Sequence, residues 1–332
     1  MRNMYKKIDL KKQFLVTGGA GFIGSNICIE LVKKGYRVRC LDNLSTGSID
    51  NLKEIIFLPN FEFIYGDIRN YSTCDVAMKD IDYVLHQAAL GSVPRSFKNP
   101  QMYCENNVMG FLNILEAAKK NKVLRVIYAS SSSVYGNSLT MPKIEGTEGM
   151  ILSPYALTKK ENENWATIYT KYYEVETIGL RYFNVFGRGQ NPHGMYAAVI
   201  PKFIKTIQEG NRPEIYGDGM QSRDFTYINN VVSANYLACI ASKEAVGKYF
   251  NIASGERIFL NSLYKIIAEF YDFKEEPIYL ERRTGDVRDS FADISSAKQY
   301  LGYKPEWSFT KGLEETLNWY NKNQEKERSN IS

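Results

Sequence analysis

Three side chains near the middle of the sequence have the types and the spacing that acid–base chemistry on a hydroxyl group requires. Tyr155 and Lys159 are four residues apart, so a helix would place both on one face, and Pro154 favours a helix start just before them. Ser131 belongs to a run of four serines that closes a β-rich segment. A tyrosine beside a lysine can act as a base, and a serine hydroxyl can hold the reacting oxygen. We therefore take Tyr155, Lys159 and Ser131 as the candidate catalytic residues.

A glycine-rich segment at residues 17–24 has the spacing of a dinucleotide-binding loop. Its glycines at 18, 21 and 24 would permit a tight turn and let backbone N–H groups approach a pyrophosphate at the start of a helix. Asp42 follows eighteen residues after Gly24, where its carboxylate can accept hydrogen bonds from a ribose diol. This acid favours NAD over NADP, because a 2′-phosphate would meet a like charge. A plain turn remains the alternative for both segments.

The proposed base requires a lowered pKa at Tyr155. A free tyrosine has a pKa of about 10, roughly 3 units too high for neutral pH, which corresponds to ~4 kcal/mol. A unit positive charge at ~4 Å in an effective dielectric of ~20 supplies about that much, and we expect it from Lys159 together with an oxidised nicotinamide. The tyrosine–lysine spacing is not specific by itself, because Tyr300 and Lys304 repeat it, and a serine run often only caps a turn.

The elements that must position these residues alternate between β-rich runs and helix-length segments. Such alternation implies right-handed crossovers and a parallel sheet covered on both faces, which is the doubly wound α/β (Rossmann) class. A smaller mixed α/β lobe for the substrate is expected to follow. The predicted strands are 14–17, 37–41, 61–65, 82–86, 125–129 and 176–181, and the predicted helices are 23–34, 72–79, 101–120 and 154–173.

The length of 332 residues is sufficient for two lobes. We expect an NAD-binding Rossmann domain over residues 12–188, completed by part of 223–253, and a substrate lobe mainly over 189–325. The segments 1–11 and 326–332 are expected to form an arm and a tail.

Two of the predicted helices have apolar residues on more than one face. The segment 106–121 and the helix after Tyr155 both need a cover on a second side. This pattern predicts a homodimer joined through a seam of helices. Burial of both faces within one subunit is the alternative.

The composition excludes several classes of function. The net charge is +5, and residues 1–12 carry +4 of it, so the remainder shows no basic stripe for nucleic acid. No stretch approaches the eighteen or so apolar residues of a membrane span, and no secretory segment precedes the first strand, which predicts a cytoplasmic protein. Five scattered cysteines without a CxxC pair, and only two histidines, predict no metal site.

The complete motif set resembles the extended short-chain dehydrogenase/reductase family over nearly the whole chain. Within that family, the segments 42–47 and 181–184 resemble the nucleotide-sugar 4-epimerases. The segments 87–96 and 184–190 are most similar to the branch that interconverts UDP-N-acetylglucosamine and UDP-N-acetylgalactosamine. The motifs that carry the family resemblance are residues 17–24, Asp42, Ser131, Tyr155 and Lys159.

The resemblance implies tightly bound NAD and a redox-neutral 4-epimerisation of a UDP-sugar through a 4-keto intermediate. It also implies that Tyr155 is the base, that Lys159 binds the nicotinamide ribose and that Ser131 contacts the 4-hydroxyl. The implied NAD contacts are Gly18, Gly21, Phe22, Ile23, Asp42, Asn43, Ser45, Thr46, Gly47, Asp67, Ile68, Gln87, Ala88, Ala89, Asn107, Tyr155, Lys159 and Tyr182. The implied substrate contacts are Gly91, Ser92, Val93, Ser131, Ser132, Ser133, Tyr155, Asn184, Ala198, Val199, Lys202, Arg223, Arg288 and Ser290.

Several of these contacts have more specific implied roles. Arg223 and Arg288 match the diphosphate-binding arginines of the family, although an ordinary surface ion pair is the alternative for each. Residues 196–202 match the uracil-binding segment of the family. Ser290 occupies a position beside the 2-substituent of the sugar, where a small residue leaves room for an N-acetyl group.

Other members of the family catalyse different reactions or none, and the sequence bears on each of these alternatives. Dehydratases of the family carry an Asp-Glu pair at the places of Ser132 and Ser133, so dehydration is disfavoured. A 4-epimerase for UDP-glucose/UDP-galactose or for UDP-glucuronate is an alternative. A catalytically silent NAD-binding regulatory protein is an alternative of another class, against which the intact Ser131, Tyr155 and Lys159 set argues.

Overall fold

The protein is described by a computed structural model over residues 8–192, 198–282 and 288–329. The predicted β-rich runs of the first half form strands whose bounds lie within two residues of the predicted ones. The strands are β1 (Gln13–Thr17), β2 (Arg37–Asp42), β3 (Phe61–Tyr65), β4 (Tyr83–His86), β5 (Arg125–Ser131), β6 (Thr177–Tyr182), β7 (Val185–Phe186), β8 (Glu214–Tyr216), β9 (Ser222–Arg223), β10 (Thr226–Tyr227), β11 (Tyr249–Ile252), β12 (Ile258–Phe259), β13 (Ile278–Leu280) and β14 (Asp289–Ser290).

Seven of these strands form a central sheet in the order β11-β6-β5-β4-β1-β2-β3. Every neighbouring pair in it is parallel, which confirms the doubly wound α/β class. The strand order reverses between β1 and β4, so the two halves of the sheet diverge there and leave a crevice at the carboxyl ends of the strands. Residues of β6 are all buried, as expected for a strand covered by helices on both faces.

Eleven helices are found in the described part of the chain. Among them, none has the length and apolar character needed to cross a membrane. The helices are α1 (Phe22–Lys33), α2 (Tyr71–Ala77), α3 (Val93–Lys98), α4 (Pro100–Tyr103), α5 (Gly110–Lys120), α6 (Pro154–Tyr173), α7 (Val199–Gln208), α8 (Ile228–Ile240), α9 (Leu260–Phe270), α10 (Ser295–Leu301) and α11 (Phe309–Ser329).

The second half of the chain contributes short, mixed sheets. Strand β9 pairs antiparallel with β12 and parallel with β14, β13 pairs with β8, and β10 pairs with β7. Strand β11 instead joins the central sheet beside β6, so part of the second half completes it. The division of the chain into two domains near residue 188 stays a prediction.

One predicted helix, over residues 101–120, is wrong as a single element. The chain forms α4, then a π-helical turn at Cys104–Met109, and then α5. The turn places Asn107 beneath the loop after β4, where its side chain accepts from the Leu90 N–H at 2.8 Å and donates to the Leu90 carbonyl at 3.1 Å. Such π turns are frequent at functional sites.

Candidate active site

A cavity of about 640 Å³ lies at the carboxyl edge of the central sheet, where the strand order reverses. It is the place at which open α/β sheets bind ligands. Most of the predicted NAD contacts line it: Gly18, Gly21, Phe22, Ile23, Asp42, Asn43, Ser45, Thr46, Ile68, Gln87, Ala88, Ala89, Tyr155, Lys159 and Tyr182. The predicted substrate contacts that line it are Gly91, Val93, Ser131, Ser132, Ser133, Tyr155 and Asn184.

The backbone of the glycine loop lies in close contact with the first turn of α1. Gly18 has a φ of +67°, and a Cβ on Gly24 would lie 2.2 Å from the Gly18 carbonyl oxygen, so both glycines are required by the turn itself. Gly21 differs, because a Cβ there would meet only that same oxygen, at 3.2 Å, on the cavity side. No side chain caps the first turn of α1. Uncapped N–H groups at a positive helix end fit a pyrophosphate.

Asp42 joins the glycine loop to the loop after β2. Its Oδ2 accepts from the Ala20 N–H at 2.9 Å and its Oδ1 from the Leu44 N–H at 2.7 Å. The side chain also lines the cavity. Asp42 therefore has the turn-forming role that the sequence left open as an alternative. Its carboxylate also lies on the cavity wall, where it could accept hydrogen bonds from a ribose.

The candidate catalytic residues come together at the end of β5. The Ser153 hydroxyl caps α6 by accepting from the Ala156 N–H at 3.1 Å, which places Tyr155 in the first turn of the helix. Lys159, one turn later, donates from Nζ to the Ala129 carbonyl at 2.8 Å. Ser131 Oγ accepts from the Ser133 hydroxyl at 2.9 Å. Helix α6 and strand β5 thus present all three side chains to the same cavity.

The pKa values of these groups reflect burial. Burial raises the pKa of Tyr155, and a hydrogen bond with Ser131 opposes that rise. In this structure the Lys159 ammonium donates to the Ala129 carbonyl. The lowering of the Tyr155 pKa by Lys159 together with an oxidised nicotinamide stays a prediction. Burial lowers the pKa of Lys159 to about 8, so this side chain is mostly charged at neutral pH.

His86 ends β4 close to the cavity but is not a candidate base. Its Nδ1 pairs with Thr17 Oγ1 at 2.7 Å, and its ring stacks on Phe111. Burial, together with the charge of Lys159, lowers the pKa of His86 to about 3. The imidazole is therefore neutral at working pH, and Tyr155 has no histidine competitor among the described residues. His193 lies outside them.

Four predicted contacts do not line the cavity. Asn107 is fully buried and holds Leu90, whereas its neighbour Asn106 lines the cavity. Gly47 packs against Ala20, where a Cβ would approach to 2.6 Å. The other two are Asp67, held by Arg69 and Asn43 with its pKa lowered to about 2, and Ser92, which caps α3.

Asn106 lines the cavity although it was not among the predicted contacts. The adjacent pair Asn106-Asn107 indicates an amide at this point, and within the π turn Asn106 lines the cavity whereas Asn107 is buried. The contact of Asn107 with NAD stays a prediction.

A second cavity, of about 220 Å³, gathers three arginines. Arg223 on β9 and Arg288 before β14 line it, as does Arg282, which the sequence analysis did not single out. The Arg223 guanidinium donates from Nη1 to the carbonyls of Ser222 and Arg288, both at 2.9 Å. The run Arg282-Arg283 is the signal that could have pointed to it. Three guanidinium groups around one cavity suit a phosphate ligand.

The remaining predicted contacts line neither cavity. Lys202 on α7 pairs with Glu214 at 2.9 Å, and Ala198 and Val199 begin the same helix. Ser290 on β14 is aligned with Arg223 on β9. Positions 196 and 197 of the predicted uracil-binding segment, and residues 283–287, lie outside the described residues.

The comparisons with known proteins agree with this geometry. Residues 14–253 match the model of the NAD dependent epimerase/dehydratase family. A putative UDP-glucose 4-epimerase of Methanocaldococcus jannaschii is 39% identical over 311 residues, which cover 93% of this chain and 98% of that protein.

Two solved structures are similar along their whole length. A UDP-N-acetylglucosamine 4-epimerase from Methanobrevibacter ruminantium M1, in complex with UDP-N-acetylmuramic acid, is 39% identical with a TM-score of 0.90, covering 94% of this chain and 99% of that one. A mutant UDP-glucuronic acid 4-epimerase from Bacillus cereus, solved with NAD, is 32% identical with a TM-score of 0.86, covering 93% and 99%. The prediction of NAD as the cofactor is confirmed.

Proposed function

Because the chain belongs to the NAD-dependent epimerase/dehydratase family, we propose that it is a 4-epimerase that interconverts UDP-N-acetylglucosamine and UDP-N-acetylgalactosamine. The observation that carries the proposal is the convergence of Ser131, Tyr155 and Lys159 in the cavity that the glycine loop also lines. The chemistry that NAD would supply there is reversible hydride transfer at C4 of the sugar. The glycine loop, Asp42 and Tyr182 are the residues that would hold NAD.

The three side chains divide the acid–base work. Tyr155 takes the proton of the 4-hydroxyl and gives it back after the sugar has turned over. Burial raises the pKa of Tyr155, so this side chain can act as a base only if nearby positive charge lowers the pKa again. Lys159 and an oxidised nicotinamide would be the sources of that charge. Lys159, with a pKa of about 8, contributes a charge at neutral pH. Ser131 holds the reacting oxygen beside Tyr155.

The charges of the large cavity support a neutral sugar. Within the described residues, Lys159 and Asp42 are the charged side chains of its wall. Lys159 donates to the Ala129 carbonyl at the end of β5, so the described residues of the wall offer no separate cation for a uronate carboxylate. This favours N-acetylhexosamine or hexose over glucuronate. Dehydration is disfavoured in the same way, because Ser132 and Ser133 supply no carboxylate near Ser131.

The arginine-lined second cavity is the proposed site for the diphosphate of the nucleotide. Arg223 and Arg288 are the predicted contacts, and Arg282 adds a third cation. Bidentate guanidinium–phosphate hydrogen bonds are stronger than neutral ones and are directional. Such a site binds UDP whichever sugar it carries.

A homodimer is part of the proposal. Trp165, Ile168 and Tyr172 are exposed on neighbouring turns of α6, and Leu157 is exposed two turns before Trp165. An exposed apolar stripe of this length on a helix favours a covered interface over open solvent. Sedimentation of the wild-type chain at micromolar concentration should give twice the chain mass, and a monomer there would contradict the proposal.

The substrate is tested by comparing kcat/KM for UDP-N-acetylglucosamine, UDP-glucose and UDP-glucuronate with no added reductant. We expect the N-acetylated substrate to be preferred and the uronate to be poorest. Ser290→Tyr should then shift the ratio toward UDP-glucose, because filling the space of an N-acetyl group costs about 1–3 kcal/mol. Preference for the uronate would contradict the assignment. Bound NAD with no turnover of any UDP-sugar would favour the silent binding protein.

A further inference from the structure

We propose that Glu163 is a positioning residue that fixes the register between α6 and the end of β5, and through that register the geometry of Tyr155, Lys159 and Ser131. The inference rests on the proposed function, in which these three groups act on one hydroxyl. Tyr155, Lys159 and Glu163 follow one another at four-residue intervals, so they share one face of α6. The Glu163 side chain is fully buried and does not line the cavity.

The carboxylate of Glu163 is held in one orientation by Arg181 of β6. Arg181 donates from Nε to Oε1 and from Nη2 to Oε2, both at 2.7 Å, and neither side chain is exposed. Its guanidinium carbon lies 3.9 Å from the ring centroid of Tyr249 and 4.9 Å from that of Tyr135. Glu148, from the loop before α6, also pairs with Arg181. A bidentate pair enclosed in this way leaves the carboxylate little freedom.

The same carboxylate holds the strand end that carries the catalytic serine. Ser130 donates from Oγ to Glu163 Oε1 at 2.7 Å, and the preceding residue, Ala129, accepts from Lys159 Nζ at 2.8 Å. Adjacent residues of β5 therefore bind successive turns of α6. A shift of the helix along the strand would break both hydrogen bonds and would separate Tyr155 from Ser131.

A matched ion pair at the other end of β5 provides a control. Arg125 donates to Glu176 Oε2 from Nε at 2.9 Å and from Nη2 at 2.7 Å. This pair joins the first residue of β5 to the residue before β6, at the opposite end of the strand from Ser131. The Glu163–Arg181 pair links α6 to β6, the Glu176–Arg125 pair links the start of β6 to β5, and in each pair the arginine donates twice to the carboxylate. Breaking the Glu176–Arg125 pair therefore serves as the control for breaking the Glu163–Arg181 pair.

The experiment compares Glu163→Gln with Glu176→Gln in the NAD-loaded full-length protein. In Glu163→Gln we expect kcat to fall about tenfold or more with KM within about twofold, because the substrate contacts remain while the reacting groups lose their alignment. Amide hydrogen exchange should rise over residues 153–163. Glu176→Gln should lose thermal stability while kcat stays within about twofold and exchange over 153–163 stays unchanged.

Ser130→Ala provides a milder second variant, because it removes the hydroxyl that meets Glu163 and leaves the ion pair intact. It should raise exchange over residues 153–163, and it carries the test if Glu163→Gln does not fold. Equal losses of kcat in the two glutamine variants, or unchanged exchange around Tyr155, would overturn the positioning role. Hydrogen exchange needs no turnover, so a wild-type protein inactive on every UDP-sugar would contradict the proposed function while the exchange result still decides this inference.

Discussion

Replacing Asp42 by asparagine should weaken the binding of NAD by about 10- to 150-fold. The two carboxylate oxygens accept from the N–H groups of Ala20 and Leu44, at 2.9 and 2.7 Å. An asparagine amide keeps one acceptor and turns its NH₂ group toward the other N–H donor. The neutral amide is also a weaker acceptor for the ribose diol than the carboxylate; losing that charge-assisted hydrogen bond to NAD costs about 1.5–3 kcal/mol, and each 1.4 kcal/mol is roughly a tenfold change in affinity. The glycine loop and the loop carrying Ser45 and Thr46 lose their shared anchor.

The assay is calorimetric titration of NAD into cofactor-stripped protein, together with mass identification of the cofactor that the purified protein releases on denaturation. Asp50→Asn is a suitable control, because Asp50 is exposed in the short turn after the same loop and lines neither cavity. An Asp42→Asn protein with NAD affinity within twofold of wild type would refute the reasoning. Release of NADP from the wild-type protein would refute the preference that Asp42 is argued to set.

Three further predictions concern the reacting groups and the nucleotide. Tyr155→Phe should keep NAD bound while turnover falls at least ~100-fold, and near-normal product formation would reject Tyr155 as the base. Because burial lowers the pKa of Lys159 from 10.5 to about 8, the charge of this side chain is present below that pH and lost above it. The value of kcat should therefore fall above pH 8, and in Lys159→Arg the fall should move to higher pH. A kcat that stays constant up to pH 10 would contradict this. Arg288→Ala should weaken UDP roughly tenfold or more by calorimetry, and unchanged affinity would identify Arg288 as an ordinary surface residue.

The central sheet could be predicted because its strands are buried on both faces and therefore form continuous apolar runs between helix-length segments. The break between α4 and α5 could not. A π turn inserts one extra residue per turn without changing the apolar composition, so the pattern over residues 101–120 still predicts one helix. The structure places Asn106 on the cavity wall and buries Asn107, a difference that the apolar pattern does not predict.

Burial and distant partners explain what else the sequence did not reveal. The spacing of Tyr155 and Lys159 predicts a shared helix face, but the direction of the Tyr155 pKa depends on burial, which only the packed structure shows. Lys160 pairs with Glu163 on α6 itself, at a spacing that is ordinary on a helix surface. The role of Glu163 is not visible in the sequence, because Arg181 and Ser130 lie on two strands that folding brings beside α6.

The measurement that tests the central claim most directly is the reaction of UDP-N-acetylglucosamine in D₂O with the purified protein, its bound NAD and no added reductant, followed by NMR. A redox-neutral epimerase returns to C4 the hydrogen that it removed. We predict UDP-N-acetylgalactosamine with protium at C4 and, in the same solution, no net formation of a reduced or oxidised product. Deuterium at C4 would show inversion by proton exchange with solvent, and the absence of the galacto product would remove the assignment of this protein as a 4-epimerase of N-acetylated UDP-sugars.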